Sequence, residues 1–404
     1  MNKRRKKRND AVLWQIGILL ILIVAITVVV ILILKPDSDL PSGSDDVSSQ
    51  ITSDDLSHSS DPENSALPTA AEPTVEAEFW GNKIDLSAKS TQIEVAGKYP
   101  KWHSEPGFTV PEHDLSFFKA NASSDKPLNG AVVFLDPGHG GQEDWGAVFP
   151  RHPIPAEIIE RDINLLVAFS VKELLEDAGA SVVMTREENY YYQIMYRYAV
   201  VAKHILNDFR SKLSPSSPNI PIVEGYIAEM DRTMERNNDK DTSDIFYPKG
   251  VNQTVKNILD IQSGYSNCVF LSLHCNASPE PDTLKGTRVF YETNESAYRG
   301  GLSITRSIVE PEYQNFNATE RKRFAELIYS KIVDKLPDMK FSNESQAVVA
   351  EDVSGVIRET NVVGALVEMG YVNHTYDRAV LLDETSRNVI ALAIFEAILS
   401  YYCG

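Results

Sequence analysis

Apolar runs and helical stripes alternate along the chain from Gly130 to the C-terminus. Ala131 to Gly138 reads AVVFLDPG, an apolar run ending in a turn, as a strand buried on both faces does. Arg161 to Gly179 places Ile163, Leu166, Val167, Val171, Leu174 and Leu175 at helical spacing and stops at a glycine. ASVVMTR (180–186), CVFLSLHCN (268–276), TRVFYE (287–292) and VVGALVEMGYV (362–372) read as further strands. ATERKRFAELIYSKIVDKL (318–336) has Ile328, Ile332 and Leu336 on one helical face, and SRNVIALAIFEAILSYY (386–402) closes the chain as a helix. The alternation predicts an α/β fold with a mostly parallel sheet covered on both faces. Sites in such sheets gather at the carboxyl ends of strands.

One interval breaks the rhythm. Residues 187–262 carry two helix-like stretches, MYRYAVVAKHILNDF and IAEMDRTMERNN, around a Pro/Ser-rich break, SPSSPNIP. It reads as an insertion between two core strands.

The first third of the chain is organised differently. Residues 1–10 form a basic tail, and Ala11 to Leu34 then runs 24 residues without a charge. About 20 apolar residues suffice for a transmembrane helix. No small-residue cleavage site follows, so 11–34 reads as an uncleaved signal anchor. Six basic residues precede it, which by the positive-inside rule puts the N-terminus in the cytoplasm and the rest of a single-pass cell-membrane protein outside. Residues 35–78, rich in Ser, Asp and Pro, read as a disordered acidic spacer, and 79–129 as an irregular lead-in. Residues 130–404 read as the folded α/β domain.

The net charge of −18 understates the acidity of the exported part. Beyond Lys35, 32 Lys and Arg stand against 56 Asp and Glu. Such a body is not drawn to nucleic acid, so no nucleic-acid partner is expected. The three cysteines, Cys268, Cys275 and Cys403, are too few and too odd for a disulfide framework and read as free thiols.

The chemistry begins at FLDPGHGG, residues 134–141. A Walker loop needs a lysine, and a dinucleotide fingerprint needs GxGxxG opening a helix; this turn has neither. Its glycines instead free the backbone to project His139 from a strand end, beside acidic groups, as suits a metal. Of eight histidines, only His139 and His274 sit at the ends of apolar strands. Glu160 opens the helix that follows, where it is a third ligand or simply a charge favouring the helix N-terminus. Glu368 interrupts the apolar strand ALVEMGYV, as a general base with a pKa raised by burial or as half of a buried salt bridge.

Together these stretches resemble the zinc-dependent N-acetylmuramoyl-L-alanine amidases of the Amidase_3 type. VVFLDPGHGG, EIIERDINLLVA, VVMTRE, FLSLHCNAS, GTRVFY, VIRET and ALVEMGYVNH occur in that family's order over about 270 residues. The resemblance implies one α/β domain with a sheet of about six strands flanked by helices. It implies one Zn2+ on His139, Glu160 and His274, with Glu368 as the catalytic glutamate and peptidoglycan as substrate. Asn276 and Arg358 are candidate substrate contacts, a structural ion pair being the other reading of Arg358. The chain departs from the family pattern at 187–262, and the family's arginine-bearing helix ahead of the second-histidine strand is replaced by VKNILDIQSGY. By resemblance, 187–262 is either a cover that an activator removes, with Glu224, Glu229 or Glu235 reaching the metal, or a wall of the substrate groove. Two rival readings stand: a zinc metallopeptidase cutting within the peptide stem, and a non-catalytic wall-binding regulator on an amidase fold.

Overall fold

The structure is a computed structural model that describes residues 76–79, 82–85, 113–152, 155–238, 253–293, 316–351 and 355–404. The tail, the anchor at 11–34 and nearly all of the spacer lie outside the described residues. Among the described residues no helix is long and apolar enough to cross a membrane.

A short hairpin, β1 (Glu76–Phe79) with β2 (Asn82–Asp85), straddles the boundary expected between spacer and lead-in. Helix α1 (Ser116–Asn121) follows, where irregular chain was expected. Phe118 of α1 is buried against Tyr402, with ring centroids 4.5 Å apart, so the core begins ahead of residue 130.

The main body starts with β3 (Val132–Pro137), a ribbon of β4 (Val148–Phe149) and β5 (Ile158–Ile159), and α2 (Glu160–Asp177). Then come β6 (Ser181–Met184), α3 (Ile194–Lys212), α4 (Ile220–Arg236), α5 (Gln253–Ser263), β7 (Cys268–Asn276) and β8 (Arg288–Tyr291). Helix α6 (Ala318–Lys335), β9 (Val349–Glu351), α7 (Gly355–Arg358), β10 (Val363–Tyr371), α8 (Thr375–Leu382) and α9 (Glu384–Cys403) complete it.

Six strands form one sheet in the order β6-β3-β7-β10-β8-β9. Only the β10–β8 pair is antiparallel. Alternation along the central strands divides the core in two. Val133, Leu135, Leu271, Leu273, Ala365 and Val367 face one side, against α2, α6 and α9. In α2 the buried stripe is Ile163, Val167, Val171 and Leu175, while Leu166, expected inside, is 49% exposed.

Phe134, Phe270 and Leu366 face the other side and pack on Tyr198, Ala202, Leu206, Val223 and Ile258. Those five residues come from α3, α4 and α5, all within or overlapping the segment read as an insertion. A parallel sheet must be covered on both faces. The segment is therefore half of the fold's insulation rather than an appendage. It breaks the strand-helix rhythm because, among the described residues, α3, α4 and α5 all cover one face. All three cysteines are free.

Candidate metal centre

The sheet's carboxyl rim gathers the chemistry. His139 follows β3 on a loop that only unusual backbone can make: His139 itself is left-handed (φ 64°), as is Gly141 (φ 63°). Gly140 and Asp144 exchange backbone hydrogen bonds of 2.8 and 3.3 Å, which closes the loop on itself. The turn is held from outside by two buried arginines. Arg186, at the end of β6, donates to the carbonyls of Pro137 (2.8 Å), Gly138 (3.0 Å) and Arg161 (2.7 Å). Arg161 donates to the Gly141 carbonyl and lies over the Trp145 ring at 5.0 Å.

The β4–β5 ribbon delivers Glu160 to the same rim. Its Oε2 accepts the Ala147 N–H at 2.5 Å, and its Oε1 accepts the Cys275 N–H at 2.9 Å. His274 comes from β7, where regular strand geometry aims it. Glu160 Oε1 then lies 3.1 Å from His139 Nε2 and 2.9 Å from His274 Nδ1, and the two imidazoles stand 4.8 Å apart at 80°. Two glycines make room. A Cβ on Gly138 would fall on the His274 ring, and one on Gly146 would fall on Glu160 and His139.

Asp144 completes the arrangement, and the sequence reading missed it. Its Oδ1 sits 2.7 Å from His139 Nδ1 and also accepts the Gly146 N–H at 3.2 Å. A carboxylate on the outer nitrogen turns the inner nitrogen toward a metal. Burial alone would lower the His139 pKa, but hydrogen bonds and charge from Asp144 and Glu160 outweigh it and push it up to about 9. Burial would raise Glu160, yet the two histidines hold its carboxyl well below the usual range. A buried carboxylate between two imidazoles is thus a site built for positive charge. His139, Glu160 and His274 are the group that could hold a metal among the described residues. Two imidazole nitrogens and one carboxylate oxygen suit zinc, with a position left for substrate or water. The buried Nε2 of His274 has no hydrogen-bond partner within the protein.

Glu368 pairs in register with His274 on one side and with Arg288 on the other, so the three side chains share a sheet face and a level. Asn276 lies two residues beyond His274 on that face and accepts the Ala277 N–H at 2.8 Å. Arg358 is buried and pairs with Glu359 at 2.8 Å, which is its structural-ion-pair reading.

Below the histidines is a buried polar floor that sequence reasoning also missed. Asp136 accepts from the hydroxyls of Thr185 and Ser272, both at 2.6 Å, and faces Arg197 of α3 at 3.6 Å. Arg197 thus gives α3 an arginine that meets this floor, whereas VKNILDIQSGY has none. In sequence Arg197 is one of several polar residues of a helical stretch, and nothing marks it as the one that meets Asp136. Glu224 and Glu229, offered as carboxylates reaching the metal, are held on the surface by Arg210 (2.8 Å) and Arg232 (2.5 Å), and Glu235 is exposed.

The family profile of the N-acetylmuramoyl-L-alanine amidases (Amidase_3) matches residues 133–210 and 224–400. The chain belongs to that family. The germination-specific N-acetylmuramoyl-L-alanine amidase of Bacillus subtilis is 24% identical over 278 residues, which are 68% of this chain and 81% of the relative. The probable cell wall amidase LytH of Staphylococcus epidermidis is 33% identical over 129 residues, 31% of this chain and 41% of the relative. Among solved structures, Ami1 of Mycobacterium smegmatis aligns with a TM-score of 0.41 at 15% identity, over 68% of this chain and 98% of that one. The CwlD amidase of Clostridioides difficile, solved in complex with the GerS lipoprotein, aligns at 0.39 and 20%, over 67% and 98%. Within the amidase profile only 211–223 is unmatched, the Pro/Ser-rich break and its flanks. Residues 187–210 and 224–262 lie inside the matched ranges.

Proposed function

We propose that the chain hydrolyses the amide between the lactyl group of N-acetylmuramic acid and L-alanine in peptidoglycan, in cell-wall remodelling. The observation that carries this is the convergence of His139, Glu160 and His274 with Glu368 in register beside them. His139 Nε2, Glu160 Oε1 and His274 would hold one zinc ion. When bound, zinc supplies Lewis acidity toward the scissile carbonyl. Glu368 accepts the proton of the attacking water and returns it to the departing L-alanine amine as the C–N bond breaks. Asp144 holds His139 in the required tautomer. Asn276, on the same face, is placed to meet the substrate.

Glu368→Gln tests the assignment. Turnover should fall by about 10²–10⁴-fold with zinc content unchanged, whereas His139→Ala should lose both. Turnover in the Gln variant equal to wild type would sink it. Mass spectrometry of digested peptidoglycan separates the amidase from a peptidase: intact stem peptides beginning at L-alanine are expected.

We further propose that residues 11–34 anchor the chain in the cell membrane with residues 130–404 outside, over the spacer at 35–78. The charge-free run with basic residues on one side supports this. A partner acting on 187–262 would have a short route to the metal loop. Asn237, the cap of α4, donates to the Tyr191 carbonyl at 3.0 Å and accepts the Gln193 N–H at 2.9 Å.

A further inference from the structure

Three tyrosines stand along the outer wall of the loop that carries His139. They belong to ENYYYQIMYRY, which leaves the carboxyl end of β6 and opens α3. Tyr192, just ahead of α3, and Tyr196, in its first turn, stack with ring centroids 4.0 Å apart and planes 20° from parallel. Tyr190 leans on Tyr192 at 4.8 Å and is 53% exposed. Tyr192 and Tyr196 are half-buried. Aromatic rings gain most from burial, so a row left open to water marks a surface awaiting contact.

The row is fixed and it adjoins the metal loop. A Cβ on Gly140 would fall on the Tyr190 carbonyl, so the two backbones touch. Asn189 accepts the Gly141 N–H at 3.0 Å, and Arg197 donates to the Tyr192 carbonyl at 2.9 Å. With the Asn237 clamp on Tyr191 and Gln193, the stretch is a ledge pinned from three sides.

Charge selects what the ledge can take. Exposed acidic groups fringe it, Glu143 and Glu188 among them, while Glu187 is paired with Lys172 at 2.6 Å. The nearby arginines, Arg161, Arg186 and Arg197, are buried and spent on backbone carbonyls and Asp136. The peptide stems of peptidoglycan carry free carboxylates, which this fringe repels. A glycan strand presents uncharged pyranose rings with apolar C–H faces and hydroxyl edges. Tyr190, exposed at the end of the row, offers a ring face to such a sugar, and Tyr192 behind it donates to Glu188 at 3.3 Å.

We propose that Tyr190, Tyr192 and Tyr196 form a stacking subsite for the glycan strand of peptidoglycan, seating sugars next to the muramic acid whose amide is cut. This rests on the amidase reading above. The subsite makes the enzyme favour long glycans over isolated muramoyl peptides.

The test uses the full zinc-loaded chain and a Tyr190→Ala/Tyr192→Ala pair, with Tyr192→Phe as the conservative variant. Calorimetry reads the binding of an uncharged oligosaccharide of N-acetylglucosamine, in a Glu368→Gln background so that turnover plays no part. Kinetics read the ratio of kcat/KM on a glycan-extended muropeptide to that on a muramoyl peptide with no further sugars. The alanine pair should weaken oligosaccharide binding about tenfold and lower the ratio by a similar factor, while Tyr192→Phe keeps both near the parent values. Undetectable oligosaccharide binding before the tyrosines are changed, or equal binding and equal ratios after, overturns the subsite. Tyrosine-dependent oligosaccharide binding in a protein that releases no L-alanine-terminated peptide would leave the subsite standing and remove the amidase reading.

Discussion

His139 and His274 reach the same carboxylate by opposite means. His274 stands on a nine-residue strand paired on both sides, and period-two alternation alone aims it. His139 stands on a loop with left-handed backbone, and its aim depends on groups far along the chain: Asp144 on its outer nitrogen, Arg161 and Arg186 on the loop's carbonyls. A strand aims a side chain by repetition, and a loop does so by anchorage. The first is robust to change in its surroundings, whereas the second is only as good as its weakest tie.

The strongest way to break the strand-held half is at the loop. Gly138→Ala puts a methyl where the His274 ring lies. Zinc affinity, measured by competition with a chromogenic chelator, should drop on the order of 10²-fold or more although no ligand has changed. Asp144→Asn attacks the loop-held half and should cost roughly 10–100-fold in the same assay. An equal loss in an Asp162→Asn control would show that the effect is not specific to the His139 contact.

Removing the metal loosens both halves together. At a free zinc level about 100 times Kd, binding contributes roughly 2.7 kcal/mol. Chelation should then lower Tm by about 5–8 °C in scanning calorimetry, and readdition of zinc should restore it.

The smallest effect sharpens the contrast from beneath. Burial would raise the Asp136 pKa, but Arg197, Ser272 and Thr185 hold it below the usual carboxylate value. A carboxyl depressed in the folded state stabilises above its unfolded pKa, near 4, and that contribution disappears as pH falls through the folded value. Asp136→Asn should therefore be less stable than the parent at pH 7, and the two denaturation midpoints should draw together as the pH is lowered below about 4. Parallel midpoints across that range would remove Asp136 from the stability account.

The same contrast explains what the sequence made legible. His139, His274 and Glu368 stood out because each is a polar residue at the end of, or inside, an apolar strand. The sheet's parallel character followed from the alternation of runs and stripes. Asp144 was illegible because Glu143 and Glu157 are equally acidic neighbours in the same loop region, and only folding shows which one meets the imidazole. Glu160 needed the family resemblance, since a glutamate opening a helix has an ordinary explanation. Residues 187–262 interrupt the strand-helix rhythm because the helices described there, α3, α4 and α5, all pack on one face of the sheet. The antiparallel placement of β8 beside β10 left no periodic trace at all.

The spacing of the ligands also sets a clock. His139 and Glu160 are 21 residues apart, but His274 lies 114 residues past Glu160. It cannot take its place until β7 has entered the sheet between β3 and β10. A growing chain therefore offers two of the three ligands while the 114 residues between Glu160 and His274 emerge. A chain cut short before residue 274 has two ligands and lacks the third.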